Sequence, residues 1–318
     1  MKVARIQLGV RPLTAPLTLY GPCFCAPAPM INILECRMTI LAPSWSIPAG
    51  LKWLEINGYP MAFRDKGTGD PLVLVHGSFC DYRYWDAQVG PFAERHRVIA
   101  VSLRHYFPEI WDGNGADFSF EQHADDVAGL VRALGFESVH LLGHSRGGAV
   151  VIEVAKRHPD VVRSLILSDA SCKLDLAETE ESRKAEAFRA DLFRELRATV
   201  EAGDLEGGMG RFLDRLLGPG AWANLPRARQ LEMLQNLWTA LVHDPLPPTS
   251  DEDLRKFDFP IWIILGEKSP PSYALWAAAM RSKAGFPEPV VIPGAGHAMN
   301  VQKPLAYNGA VLGFLERK

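Results

Sequence analysis

The segment Gly143-His144-Ser145-Arg146-Gly147, directly behind the apolar run Val139-His140-Leu141-Leu142, constrains this chain more than any other. A strand that stops at a serine with glycine two residues to either side and restarts as a helix predicts a sharp turn that presents the serine hydroxyl. The dihedral angles of such a turn leave no room for flanking side chains, hence the glycines. Gly148 and the following Ala149-Val150-Val151-Ile152-Glu153-Val154-Ala155 predict a buried helix that starts under the serine, where its dipole favours a developing oxyanion. One turn therefore offers a candidate nucleophile and a field for the charge that its attack creates.

Two further strand ends carry chemistry that fits. Pro71-Leu72-Val73-Leu74-Val75 is a continuous apolar run ending in His76-Gly77-Ser78-Phe79. A main-chain N–H just beyond such a strand can complete an oxyanion hole, so the amides of Ser78 and Arg146 are the candidate donors. Near the C-terminus, Pro289-Val290-Val291-Ile292 runs into Pro293-Gly294-Ala295-Gly296-His297. His297 is the candidate general base, since an imidazole there can take the Ser145 proton and later return it to a leaving group.

With these motifs in this order, residues 51 to 318 resemble the α/β-hydrolase fold family, specifically its cap-bearing esterase, C-C hydrolase and haloalkane dehalogenase-like branch. The resemblance rests on His76-Gly77 after the third strand, Gly143-His144-Ser145-Arg146-Gly147-Gly148 after the fifth, and Gly294-Ala295-Gly296-His297-Ala298-Met299-Asn300 after the last. It implies an α/β fold: a mostly parallel, doubly wound sheet with an inserted helical cap. It also implies an acid, which the family usually places in a G-x-x-D turn one strand before the histidine. This chain has Gly266-Glu267-Lys268-Ser269 there, with Ser269 at the usual position. Asp169, at the end of the strand Ser164–Ser168, is the preferred substitute, as in some haloalkane dehalogenase-like members. Glu267 is the alternative acid, and an aspartate at a strand end also serves simply to shape a turn.

The remaining pattern supports that architecture. Asn57-Gly58 between apolar stretches predicts a hairpin, and strands alternate with helices as a parallel sheet requires. Residues 51–170 and 259–318 form the expected core; 171–258 form the cap, where the strand signal stops. There Phe188, Leu192, Leu196 and Val200, then Phe212, Leu213, Leu216 and Leu217, then Leu231, Leu234, Trp238 and Leu241 keep helical spacing. A cap at the carboxyl edge of the sheet would roof Ser145, with Phe79, His105, Trp222 and Trp238 as candidate pocket residues. Each tryptophan taken singly reads more simply as cap core. The Arg146 side chain opposes the helix dipole by about 0.3–1 kcal/mol and calls for an anionic partner. That partner is a substrate oxygen or, the simpler reading, an internal carboxylate.

Residues 1–50 are a proline-rich extension whose apolar runs are broken before they reach membrane-spanning length. Signal-peptide features match poorly, and Met38 or a later residue could be the natural start. Five cysteines, an odd number without repeated spacing, read as neither a disulfide framework nor a zinc site and point to a reducing, cytoplasmic compartment. A net charge of −3 and the lack of a long basic run exclude the footprint of a nucleic-acid binder. No cofactor, metal or membrane partner is implied, and a homodimer stays open. The expected activity is hydrolysis of carboxylic esters of small to medium apolar substrates through a Ser-His-Asp triad and an acyl-enzyme. Alternatives are a C-C hydrolase or lactonase of the same fold, or a ligand receptor without turnover. Dehalogenase and epoxide hydrolase chemistry needs a carboxylate nucleophile where this chain has Ser145.

Overall fold

Asn57 and Gly58 both adopt positive φ, 51° and 72°, and turn the chain between β1 (Leu51–Ile56) and β2 (Tyr59–Lys66), pairing Ile56 with Tyr59. This is the hairpin geometry that an Asn-Gly pair favours. The computed structural model describes residues 50–317 apart from 110 and 177. The extension 1–49, with Cys23, Cys25 and Cys36, lies outside the described residues.

After the hairpin come β3 (Asp70–Val75), β4 (His96–Val101), β5 (Val139–His144), β6 (Val162–Ser168), two short strands β7 (Lys173–Leu174) and β8 (Pro248–Thr249), then β9 (Ile261–Gly266) and β10 (Val290–Ile292). Among the described residues, eight of these make one sheet in the order β1-β2-β4-β3-β5-β6-β9-β10, while β7 pairs with β8. From β4 to β10 every neighbouring pair is parallel.

Both faces of this sheet are buried, which explains why its strands read as unbroken apolar runs. Leu72, Leu74, Leu142 and Ile166 face a cluster that includes Val89 and Phe92 of α1 (Asp86–Phe92) and Val311 of α10 (Pro304–Leu315). Their neighbours Val73, Val75, Leu141 and Leu165 point the other way. They meet α2 (Phe120–Ala133), α3 (Arg146–Arg157) and α8 (Pro271–Ala284) through Val127, Val151 and Trp276.

Between β6 and β9 the chain forms α4 (Glu180–Glu201), α5 (Leu205–Leu217), α6 (Arg227–Gln235) and α7 (Asp251–Arg255). The face Leu192, Leu196 and Val200 of α4 packs on Phe212 and Leu213 of α5, and Phe79 of the core inserts into the same cluster. The third apolar stretch is not one helix. It breaks at Asn236, after which Leu237–Leu241 forms a 3-10 turn. The buried Asn236 amide donates to Asp81 at 2.8 Å and accepts from the Phe107 N–H at 2.6 Å, so its side chain anchors the helices to the core where helical bonding lapses.

The short α9 (Met299–Gln302) lies between β10 and α10. No helix among the described residues is long and apolar enough to cross a membrane.

Candidate active site

Parallel register brings the carboxyl ends of five strands to one edge. Val75 lies opposite Gly143, His144 opposite Ser168, Ser168 opposite Ile264, and Ile292 opposite Gly266. The loops that follow carry Ser78, Ser145, Asp169, Glu267 and His297.

Ser145 is held at φ 54° and ψ −118°, a conformation that a non-glycine residue adopts at a cost of about 1–3 kcal/mol. Close packing enforces it. A Cβ on Gly147 would stand 2.2 Å from the Val75 carbonyl oxygen, and one on Gly143 would stand 2.3 Å from the Gly147 carbonyl oxygen. Arg146 is the first residue of α3, so its N–H has no intrahelical acceptor and faces outward from the positive end of the helix. Ser78 lies opposite on the loop behind β3. Buried His76 fixes that loop: its Nδ1–H donates to the Gly77 carbonyl at 2.8 Å and its Nε2 accepts the Leu103 N–H at 3.1 Å. Burial lowers the His76 pKa to about 4, which keeps the ring neutral for both roles.

Asp169 caps β6 at φ 38° and is fully buried. Its Oδ2 lies 3.0 Å from His297 Nδ1 and accepts the Ser269 hydroxyl at 2.5 Å, while Oδ1 accepts the Gly266 N–H at 3.3 Å. Burial opposes both charges here, raising the Asp169 carboxyl and lowering the His297 imidazole; the donors Ser269 and Gly266 pull the carboxyl back toward ionisation. With Nδ1–H directed at the carboxylate, His297 Nε2 is left as an acceptor. His144 steadies the same loop by donating Nε2–H to the His297 carbonyl at 2.8 Å.

Nε2 faces Tyr273. The Tyr273 hydroxyl lies 3.3 Å from it, the two rings stack at 4.6 Å with 15° between planes, and the same hydroxyl hydrogen-bonds with Ser145 and Ser171. Tyr273 thus links the serine to the imidazole. All three side chains line one cavity of about 320 Å³ whose walls are mostly apolar, among them Phe79, Phe188, Leu192, Phe212 and Trp276.

The other residues singled out in the sequence fall elsewhere. Glu267 turns away from His297, its carboxylate accepting the Gly294 N–H at 2.7 Å on the exposed side of the turn. His105 is not among the cavity's lining residues; at φ 68° it stacks on Trp111 at 4.3 Å and lies between Glu109, at 3.0 Å, and Asp117, at 2.8 Å. Trp238 is buried in the helical cluster. Trp222 packs beside Gly210 of α5, and its main-chain N–H donates to the Asp214 carboxylate at 3.0 Å. Neither tryptophan lines the cavity, because the helix-to-helix seam claims these large rings. The Arg146 guanidinium has an internal partner, Asp244, at 2.5 Å, and lies over the rings of Phe118 and Phe120.

Two cavity residues, Tyr273 and Arg189, carried no sequence signal of their own, and Ser269 was marked only as standing where the family usually has its acid. Tyr273 follows Pro270-Pro271, a helix-start signal, but nothing local marks its ring as the partner of a histidine 24 positions on.

A model of the alpha/beta hydrolase family matches residues 72–310. The chain belongs to that family. It shares 26% identity with the 2-(acetamidomethylene)succinate hydrolase of Mesorhizobium japonicum, over 83% of this chain and 94% of that protein. An uncharacterized protein of Mycobacterium tuberculosis is 33% identical over 39% of this chain, a match that spans about a third of that relative's length, 36%. Among solved structures, the carboxylesterase CesB of Bacillus subtilis superposes with a TM-score of 0.68 at 16% identity, over 90% of this chain and 96% of its own, a likeness of fold.

Proposed function

We propose that this hydrolase cleaves carboxylic esters of small to medium, largely apolar substrates through a Ser145-His297-Asp169 triad, with the amides of Ser78 and Arg146 as the oxyanion hole. The observation that carries the reading is the 3.0 Å contact between Asp169 and His297 beside a serine held in the strained turn, all on one apolar cavity. Ser145 Oγ attacks the carbonyl carbon as His297 Nε2 takes its proton. The tetrahedral oxyanion is met by the two amides, and collapse expels the alcohol, which receives the proton from Nε2. Water then repeats the cycle on the acyl-enzyme. Asp169 holds Nδ1–H and stabilises the imidazolium formed in transit. The serine takes the place of the Tyr273 hydroxyl at Nε2 as attack begins. Helices α4 to α6 act as the cap, excluding water and supplying the apolar walls.

The test is turnover of a panel of p-nitrophenyl esters of graded acyl length by the wild type and Ser145→Ala. Activity that falls by several orders of magnitude in the variant supports the reading. Ester turnover that is absent, or indifferent to Ser145, overturns it, and vinylogous diketones and lactones in the same panel then decide whether the triad acts on C-C or lactone bonds. The name of the Mesorhizobium relative describes a dicarboxylate, which favours testing acyl groups that bear a second carboxylate.

A further inference from the structure

Among the described residues the charged groups around the cavity are paired, with one exception. Asp81 holds Arg83 at 2.6 Å, Arg229 holds Glu232 at 2.6 Å, and Arg146 holds Asp244 at 2.5 Å. Arg189, on α4, lines the same cavity as Ser145 and His297, and among the described residues no carboxylate approaches it within ion-pair distance. Its guanidinium instead lies 4.9 Å from the centre of the Phe193 ring, one helical turn further on. The acid whose field reaches it is Asp244, and Asp244 is already bonded to Arg146. Two guanidinium groups therefore share one carboxylate, and a net positive charge remains at the cavity wall.

We propose that Arg189 is the anchor for a carboxylate carried by the substrate, so that the preferred esters are those whose acyl chain ends in a second, free carboxylate. The inference rests on the triad reading for the reaction, but not for the binding. Burial lowers the Arg189 pKa to about 10, and the neighbouring Arg146 acts in the same direction, while Tyr273 and Asp244 oppose it; the group is still cationic at neutral pH. A cation kept in apolar surroundings without a counter-ion is poorly compensated, and an incoming anion removes that penalty. A carboxylate suits it better than a phosphate. The planar fork of one guanidinium matches the two oxygens of a carboxylate, and the cavity walls around it are mostly apolar. Arg189 lines the same cavity of about 320 Å³ as Ser145, Tyr273 and His297, so the carboxylate and the scissile carbonyl are separated by a short chain.

The experiment compares p-nitrophenyl butyrate with mono-p-nitrophenyl glutarate on the wild type, Arg189→Gln and Arg189→Lys. The expected result is a wild-type preference in kcat/KM for the glutarate of roughly 10- to 100-fold, the scale of a charge-assisted pair. In Arg189→Gln the ratio collapses toward one, chiefly through KM, and Arg189→Lys restores part of it. The melting temperature of Arg189→Gln is not lowered, since no ion pair is broken. A ratio near one in the wild type, or a preference that survives Arg189→Gln, overturns the proposal while leaving the esterase reading intact. If the wild type cleaves neither ester, the esterase reading falls, and calorimetric titration of glutarate into Ser145→Ala and Ser145→Ala/Arg189→Gln decides the anchor. Binding lost with Arg189 supports it; binding that is absent from both proteins or equal in both overturns it.

Discussion

Ser269 donates its hydroxyl to Asp169 Oδ2 at 2.5 Å, across 100 residues of sequence, from the turn where the family usually carries its own acid. The turn has not lost its part in the site; it supports a carboxylate supplied by the neighbouring strand. Asp169→Asn is expected to lower kcat on p-nitrophenyl esters by roughly 10³- to 10⁴-fold, and Glu267→Gln by less than about 3-fold. Ser269→Ala removes a donor to the ionised carboxylate, so the Asp169 pKa rises further and the acid limb of the pH–rate profile moves to higher pH. The reverse ranking of Asp169 and Glu267 would place the acid on the other turn.

Tyr273 occupies the nitrogen that the serine needs. Tyr273→Phe removes the competing hydroxyl at Nε2 while keeping the ring stacked on His297, so kcat is expected to hold or rise by a few fold. A fall of about 100-fold or more, measured by single-turnover acylation, would instead make the hydroxyl a participant in proton transfer.

The turn itself depends on one missing side chain. Gly147→Ala places a methyl group 2.2 Å from the Val75 carbonyl oxygen and 2.5 Å from that of His76, both backbone atoms that cannot swing aside. A stability loss of about 1–3 kcal/mol is expected in urea unfolding, with activity falling more than stability because Ser145 is displaced.

Among the described residues Asp244 is the ion-pair partner of the buried Arg146. Asp244→Asn leaves that guanidinium uncompensated, and a loss of about 3–5 kcal/mol is expected in the same unfolding assay. The double variant Arg146→Met/Asp244→Leu should recover much of it, since an apolar pair of similar size avoids the desolvation altogether.

His105 offers a pH test away from the cavity. Burial alone would lower its pKa, but hydrogen bonds to Glu109 and Asp117 raise it overall, and both carboxyls are held below their usual range. A raised folded-state pKa contributes stability that is complete below the ordinary imidazole value of about 6.5 and is lost as pH rises through the raised value. The melting temperature of the wild type should therefore decline relative to His105→Gln as pH is taken from 6 to about 8, both carboxylates staying ionised throughout.

Local order carries the strands, the Asn57-Gly58 hairpin, the turn at Ser145 and the placement of His297 after the last strand, because each depends on contacts within a few residues and on patterns of period two or 3.6. The alternation of Leu72, Val73, Leu74 and Val75 already implies a strand covered on both faces, and parallel register then sends every following loop to one edge. Asp169 was legible as a candidate for the same reason, since it stands at a strand end. What that order does not contain is which side chains meet across the fold. Whether Asp169 or Glu267 faces His297 depends on the direction each carboxylate takes from its own strand end, and Glu267 finds a nearer donor in Gly294. The pairing of Arg146 with Asp244, 98 positions apart, leaves Arg189 without an acid among the described residues, and the helical seam takes Trp222 and Trp238 out of the cavity while Tyr273 enters it. Those outcomes follow from the packing of α4, α5 and α8 against one sheet edge, where space and charge are shared by residues that have no relation in sequence. The chain's local chemistry thus determines the fold and the position of the nucleophile; the tertiary structure decides what surrounds it.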